Sequence, residues 1–197
     1  GLPAVISIEE TLKLQPGEKI LIQGGAGGVA GFAIQLAKHI GAHVVTTASA
    51  GNHDYVRGLG ADEIIDYNAQ DFTEVVSDCD AVFETVGGDV GIQSFKVLKP
   101  GGRAAIQYIL IDDAIFERYA RGVDFIQTYI FPGGMLISES RFRRIAQEMG
   151  LEWRDERRFG LHYAETLRRW RQCFDRAIEE GRLPAGFDQH FVALWRY

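Results

Sequence analysis

Apolar and polar segments alternate along the first hundred residues in a way that predicts strands and helices in turn. The apolar run EKILIQ is typical of a short buried strand, and a helix is predicted over residues 29–39. Gly41 is expected to end that helix. The apolar face of the helix is predicted to consist of Val29, Phe32, Ala33, Leu36 and Ala37.

Further strands and helices follow at similar spacing. The predicted strands are AHVVTTA, DEIIDY, DAVFETV and RAAIQYI, and the predicted short helices are HDYVRGLG and DFTEVV. This alternation predicts an α/β fold of the Rossmann-like, doubly wound type, with a mostly parallel sheet, right-handed crossovers and helices on both faces.

Length and charge narrow the class of protein. The chain has 197 residues, 46% of them hydrophobic, which suits one domain with a sizeable core. The net charge of −6 disfavours nucleic acid as a partner. Residues 1–105 carry 7 basic and 13 acidic side chains, whereas residues 106–197 carry 14 of each, and every base there is arginine. This change in basic residue usage indicates two parts of different origin.

The sequence shows neither a secretory leader nor a run of eighteen apolar residues. We therefore expect a cytoplasmic protein without a membrane span. Cys79 and Cys173 are the only cysteines, and both are interpreted as buried thiols in a reducing compartment.

The segment ILIQGGAGGVAGFAIQLAK joins the first strand to the first helix and carries the small-residue pattern of a dinucleotide site. Gly25 is expected to allow the tight turn, Gly27 to let backbone N–H groups approach a pyrophosphate, and Ala30 to keep the helix close to the strand. The phosphates would then lie at the positive end of the helix. A glycine-rich turn that binds nothing is the alternative.

The end of the second strand indicates which dinucleotide would bind. A site that prefers NAD usually has a carboxylate there for the ribose hydroxyls, but this segment offers Ser49, Asn52 and His53. These side chains can donate to a 2′-phosphate, so NADP(H) is the predicted cofactor. Arg57 is a further candidate for that phosphate, with a solvated helix residue as the alternative.

Residues 1 to about 103 resemble the cofactor domain of zinc-independent medium-chain dehydrogenase/reductases of the quinone oxidoreductase branch. The resemblance rests on LKLQPGEKILIQGGAGGVAGFAIQLAK, GADEIIDY, DAVFETVGGD and LKPGGR, in that order. It implies that Tyr67 lies beside the adenosine half of the cofactor and that Thr85 and Val86 lie near the nicotinamide ribose. The expected cofactor-binding residues are Gly25, Ala26, Gly27, Gly28, Val29, Ser49, Asn52, His53, Tyr67, Thr85 and Val86.

That family carries a separate catalytic domain, mostly N-terminal to the cofactor domain, and this chain is expected to lack it. We therefore assign neither a catalytic residue nor a metal site. The surface that such a domain would cover can drive self-association, so a homo-oligomer is one expected outcome.

Residues from about 104 to 197 resemble the C-terminal part of cyclopropane-fatty-acyl-phospholipid synthases, which are S-adenosylmethionine-dependent transferases acting on lipid chains. The resemblance rests on IDDAIFERYARGVDFIQTYIFPGGML, FGLHYAETLRRWRQCFD and FDQHFVALWRY. Because the glycine-rich turn and Ser49 do not fit that family's own pattern, S-adenosylmethionine is the less favoured ligand.

In this later part we predict helices over residues 113–119, 139–149 and 164–179, and a sixth strand over residues 151–158. FVALWRY is either an antiparallel last strand or a helix. The long helix carries an apolar face that is expected to lie in the core. Its residues are Leu167, Trp170, Phe174 and Ile178.

We interpret the whole chain as a chimera of engineered origin, forming a single hybrid Rossmann-like domain over residues 1–197. Residues 1–103 would derive from a dehydrogenase and residues 104–197 from a methyltransferase. The expected function is a nucleotide-binding module with an NADP(H) site and no complete catalytic centre. The alternatives are an NADPH-dependent oxidoreductase and a remnant S-adenosylmethionine-dependent methyltransferase.

Overall fold

The computed structural model describes residues 1–131 and 134–196. The chain divides into two compact units, Gly1–Tyr108 and Ile109–Tyr197. Within the described ranges, none of the helices is both long enough and apolar enough to cross a membrane. The organisation of the two units as a single hybrid domain stays a prediction.

The first unit is built on a sheet of five parallel strands in the order β3-β2-β1-β4-β5. The strands are β1 Lys19–Ile22, β2 His43–Thr47, β3 Glu63–Ile65, β4 Cys79–Glu84 and β5 Leu98–Ile106. From β1 the chain continues through β2 to β3 on one side of the sheet, and then forms β4 and β5 on the other side of β1. The winding direction therefore reverses between β1 and β4. The predicted α/β, Rossmann-like fold is confirmed.

Helices connect the strands of the first unit. The α-helices are α1 Leu2–Val5, α2 Gly28–Ile40, α3 His53–Gly58, α4 Phe72–Val75 and α5 Gly88–Ser94. A π-helix covers Ile6–Thr11, and 3₁₀ turns cover Ala50–Asn52 and Phe95–Val97. Gly41 ends α2 in the left-handed conformation, with φ at 95°, as predicted.

The face of α2 that packs on the sheet differs from the predicted one. Phe32, which was predicted on the apolar face of the helix, is 55% exposed. Val29 and Leu36 pack at the edge of the core and are only partly buried. The buried residues of the helix are Ala30, Gly31, Ala33, Ile34 and Ala37. Small side chains therefore bring this helix close to the sheet, and the larger Phe32 lies outside the contact.

The second unit contains two short strands that pair in parallel, β6 Leu110–Ile111 and β7 Ile137–Ser138. A π-helix covers Ile126–Ile130. The α-helices are α6 Asp113–Ala120, α7 Glu139–Glu148, α8 Gly160–Glu179 and α9 Gln189–Arg196. The segment FVALWRY is helical up to Arg196, so an antiparallel last strand is wrong for the described part of it. Pro132 and Gly133 of YIFPGG, and Tyr197, lie outside the described residues.

The strand predicted over residues 151–158 is wrong, because this segment is neither strand nor helix. Ion pairs and one aromatic contact hold it on α7. Arg158 bonds Glu139 at 2.5 Å, Arg143 lies 4.2 Å above the ring of Trp153, and that ring packs edge-on against Phe142. These contacts are made by side chains. The backbone of residues 151–158 pairs with no described strand, and a sheet requires such pairing.

Two further expectations about burial are wrong. The structure buries none of the described residues of α8, and Leu167 and Trp170 on its apolar face are 47% and 62% exposed. Cys173 on the same helix is exposed, whereas Cys79 at the start of β4 is buried as predicted.

Candidate functional site

All the residues expected to bind the cofactor follow the carboxyl ends of strands in the five-stranded sheet. Residues 25–29 follow β1, residues 49–53 follow β2, Tyr67 follows β3, and Thr85 and Val86 follow β4. Because these strands are parallel, their carboxyl ends lie at one edge. Ligands of open α/β sheets bind at this edge, where the winding direction reverses, which is here between β1 and β4.

We refer to residues 24–28 as the glycine turn. Two hydrogen bonds to Thr47 hold it against the end of β2, and a third lies within the turn. The amide of Gly24 donates to Thr47 Oγ1 at 3.0 Å, that of Gly25 to the Thr47 carbonyl at 2.9 Å, and that of Gly27 to the Gly24 carbonyl at 2.8 Å. The residue of the turn with positive φ is Gly24, at 65°, so the tight turn depends on Gly24 and not, as predicted, on Gly25.

Gly25 is required for a different reason. A Cβ atom there would lie 2.3 Å from Thr46 Oγ1 and 3.0 Å from Ile34 Cδ1, so no side chain fits between β2 and α2. A Cβ on Gly27 would lie 3.1 Å from the Gly24 carbonyl oxygen, which is tight, whereas one on Gly28 would meet no described atom within 4 Å. The turn is thus closed towards the protein and open at Gly28.

The open side of the turn presents the amino end of α2. The first helical hydrogen bond runs from the Gly31 amide to the Gly27 carbonyl at 2.8 Å, so the amides of Gly28, Val29 and Ala30 precede the helical ladder. No described side chain caps this helix. Unpaired amides and the helix dipole together favour an anion at this position.

The segment after β2 contains a 3₁₀ turn, Ala50–Asn52, with Ser49 before it and His53 after it. The Asn52 side-chain amide donates to Ser49 Oγ at 2.9 Å, and a ring nitrogen of His53 lies 3.3 Å from the Ala48 carbonyl oxygen. The first carboxyl after β2 is that of Asp54, which is fully exposed and paired with Arg57 at 3.1 Å. Arg57 is therefore engaged within its own helix.

The remaining expected residues lie at two other points of the same edge. Tyr67 follows β3, one of the two edge strands of the sheet, and is 58% exposed. Thr85 follows β4, beside β1, and its hydroxyl donates to the Gln23 carbonyl at 3.3 Å. The structure thus brings Thr85 next to the glycine turn, while Tyr67 stands two strands away from β1.

A buried polar network beneath the turn was not predicted. Gln23, which is 1% exposed, accepts a hydrogen bond from the Thr47 hydroxyl at 2.6 Å and donates to Ser94 Oγ at 2.9 Å. The side chain of Gln23 thus links the ends of β1 and β2 to α5. Thr47 Oγ1 also accepts from the Gly24 amide, which connects this network to the glycine turn. The one signal in the sequence was a polar residue at the end of the apolar run KILI.

Glu84 is a second buried polar residue that sequence analysis missed. Its carboxyl is at the end of β4, is 2% exposed, and accepts hydrogen bonds from the amides of Val86 and Gly87 at 2.6 and 2.9 Å. Such bonds offset the cost of burying a carboxyl group. The backbone that follows β4 is thereby fixed.

The parallel sheet and the glycine turn at its switch point define a Rossmann-like unit, and known proteins agree with this. The quinone oxidoreductase of Coxiella burnetii is 45% identical, with a TM-score of 0.51 over 53% of this chain and 33% of its own. A mycobacterial protein solved in complex with NADPH is 28% identical, with a TM-score of 0.50 over 53% of this chain and 35% of its own. The trans-enoyl reductase pgmF of Aspergillus terreus is 42% identical over 94 residues, which are 47% of this chain and 26% of that enzyme.

The sequence profile of the mycolic acid cyclopropane synthetase family matches residues 5–197, and the chain belongs to this family. That match includes both units. The three proteins named above, by contrast, match about half of the chain. The chain spans only about a quarter to a third of the length of these reductases.

Proposed function

We propose that residues 1–108 bind NADP(H), with the pyrophosphate on the open amides of the glycine turn and the 2′-phosphate near Ser49, Asn52 and His53. The nicotinamide half then extends towards Thr85 and Val86. The function proposed for the chain is nucleotide binding, and no catalytic residue is assigned. We also infer a chimeric origin, supported by relatives of 28–45% identity that match about half of a chain belonging to the cyclopropane synthetase family.

One observation carries this proposal. The uncapped amino end of α2 and the carboxylate-free turn of Ser49 lie at the same sheet edge, on neighbouring strands. The first can hold a diphosphate, and the second accepts a charged 2′-phosphate without repulsion. Relatives described as quinone or enoyl reductases, and one structure containing NADPH, support the same reading.

S-adenosylmethionine is the second candidate ligand, and methyl transfer the second candidate function, because the chain belongs to the cyclopropane synthetase family. A methyl-donor site usually holds the ribose with a carboxylate after the second strand. Ser49 offers none, and the carboxyl of Asp54 is engaged by Arg57. We therefore rank it below NADP(H).

Isothermal titration of the chain with NADPH, NADH and S-adenosylmethionine tests the proposal. We expect NADPH to bind at least about tenfold more tightly than NADH, a difference of ~1.4 kcal/mol. Binding of S-adenosylmethionine alone would contradict the assignment. NADPH binding accompanied by quinone reduction would extend the function to an oxidoreductase.

Gly28→Val tests the phosphate position. The new side chain points into space that no described atom occupies, so the fold should persist while NADPH affinity falls at least about tenfold. Gly58→Val in α3 is the matched control, because a Cβ there also meets no described atom within 4 Å. Equal affinities in the two variants would place the phosphate elsewhere.

Ser49→Asp tests the choice between the two dinucleotides. A carboxylate at this position should repel the 2′-phosphate and accept ribose hydroxyls, which lowers NADPH affinity at least about tenfold and raises NADH affinity. Ser49→Ala removes the bond from Asn52 without adding charge, and so separates the two effects. An unchanged NADPH to NADH ratio in Ser49→Asp would count against this location.

A further inference from the structure

The buried carboxyl of Glu84 holds the backbone that follows β4. Its Oε1 atom accepts from two successive amides, those of Val86 and Gly87, at 2.6 and 2.9 Å. The group is 2% exposed. We refer to residues 85–87 as the β4 loop. The amides of Val86 and Gly87 in this loop share one carboxylate oxygen as their hydrogen-bond acceptor.

The β4 loop carries an exposed side chain and ends at a glycine with positive φ. Gly87 and Gly88 have φ values of 83° and 59°, and Val86 is 55% exposed. The loop nevertheless lies beside the glycine turn: a Cβ on Gly24 would lie 3.2 Å from Val86 Cγ2, and the Thr85 hydroxyl donates to the carbonyl of Gln23, the residue before the turn. The loop after β4 thus lies directly beside the turn that follows β1, its neighbour in the sheet.

The two halves of a dinucleotide would use different sides of the glycine turn. The Ser49 turn follows β2, on one side of β1, and the β4 loop follows β4, on the other. A change in the β4 loop should therefore affect the nicotinamide half of the ligand and leave the adenosine half in place.

We propose that Glu84 is a positioning residue for the nicotinamide half of NADP(H), acting through the amides of Val86 and Gly87. This inference rests on the proposed function of the unit. Without the carboxyl oxygen, both amides lose their acceptor, and the loop is free to move from the glycine turn.

The test compares NADPH with 2′,5′-ADP, which carries the adenosine half alone, by isothermal titration. Glu84→Met removes the acceptor and keeps a side chain of similar length. We expect NADPH affinity to fall at least about tenfold and 2′,5′-ADP affinity to stay within about twofold. Glu84→Gln should bind NADPH like the unaltered chain, since its Oε1 still accepts from both amides. Glu74→Met, at an exposed position in α4, is the control for loss of a carboxyl.

Gly87→Ala provides a second route to the same result if Glu84→Met does not fold. Gly87 has a positive φ, which a side chain disfavours, so the substitution should disturb the β4 loop. A Cβ there meets no described atom within 4 Å, so the rest of the fold should be unaffected. Selective loss of NADPH in either variant supports the role of the loop. If the affinities for both ligands fall equally, or if neither falls, the role of the loop is contradicted while the proposed function stands. If the unaltered chain binds neither ligand, both proposals fail.

Discussion

The two units of the chain differ in how much apolar surface they bury. In the first unit the central strands are fully enclosed, and Ile20, Leu21, Val44, Val82 and Phe83 are each 0% exposed. In the described part of the second unit, the buried hydrophobic residues are Phe116 and Ala146. Burial of apolar area is the main stabilising contribution in folding. The enclosed parallel sheet therefore gives the first unit a larger apolar core than the helices give the described part of the second.

The second unit relies instead on side-chain contacts near the surface. Glu139 pairs with Arg143 and Arg158, and aromatic rings pack around Phe191 of α9, with the ring centroids of Phe187 and Phe191 4.4 Å apart. Exposed ion pairs contribute only ~0–1 kcal/mol each. We therefore expect the second unit to be the less stable of the two.

The largest expected difference between the units concerns their large aromatic residues. Phe83→Ala should lower the free energy of unfolding by about 3–5 kcal/mol, because it leaves a cavity in an enclosed sheet. Trp170→Ala, at a position that is 62% exposed, should change it by no more than about 0.5 kcal/mol. Urea denaturation followed by circular dichroism measures both. Similar losses in the two variants would contradict the contrast in burial.

The second largest expected difference is between the reactivities of the two thiols. Burial raises the pKa of Cys79 from 9.0 to about 11, which lowers its thiolate fraction about 100-fold, whereas Cys173 is exposed. A thiol reagent at pH 8 should modify one cysteine in the folded chain and two in denaturant. In Cys173→Ser the folded chain should hardly react. Rapid labelling of that variant would show that the core of the first unit opens easily.

The smallest expected effect is an acid transition in α8. Hydrogen bonds from Arg168 and Arg169 lower the pKa of Glu165 from 4.5 to about 2. Because the folded pKa is the lower one, this contribution to stability is present above about pH 4.5 and is lost as the pH falls towards 2. Helicity measured by circular dichroism should decline over this range, and less so in Glu165→Gln. Glu179→Gln, at an exposed position near the end of the same helix, is the control.

Local patterns predicted most of the first unit correctly. The apolar runs identified β1 to β4, and Gly41 marked the end of α2, since strand formation and helix termination depend on neighbouring residues. The exposure of Phe32 was not predictable in this way, because the contact between α2 and the sheet excludes it. The apolar positions of residues 151–158 predicted a strand in the same way, but the described structure provides no partner strand for them.

The sequence by itself determined the alternation of elements, the glycine-rich connection after β1 and the absence of a carboxylate beside Ser49, because these depend on residue type and local order. Only the tertiary structure decided that Gly24 makes the turn, that Gly25 has no room for a side chain, and that Gln23 and Glu84 support the site. Those properties arise from contacts between residues far apart in the chain, which spacing along the sequence does not record.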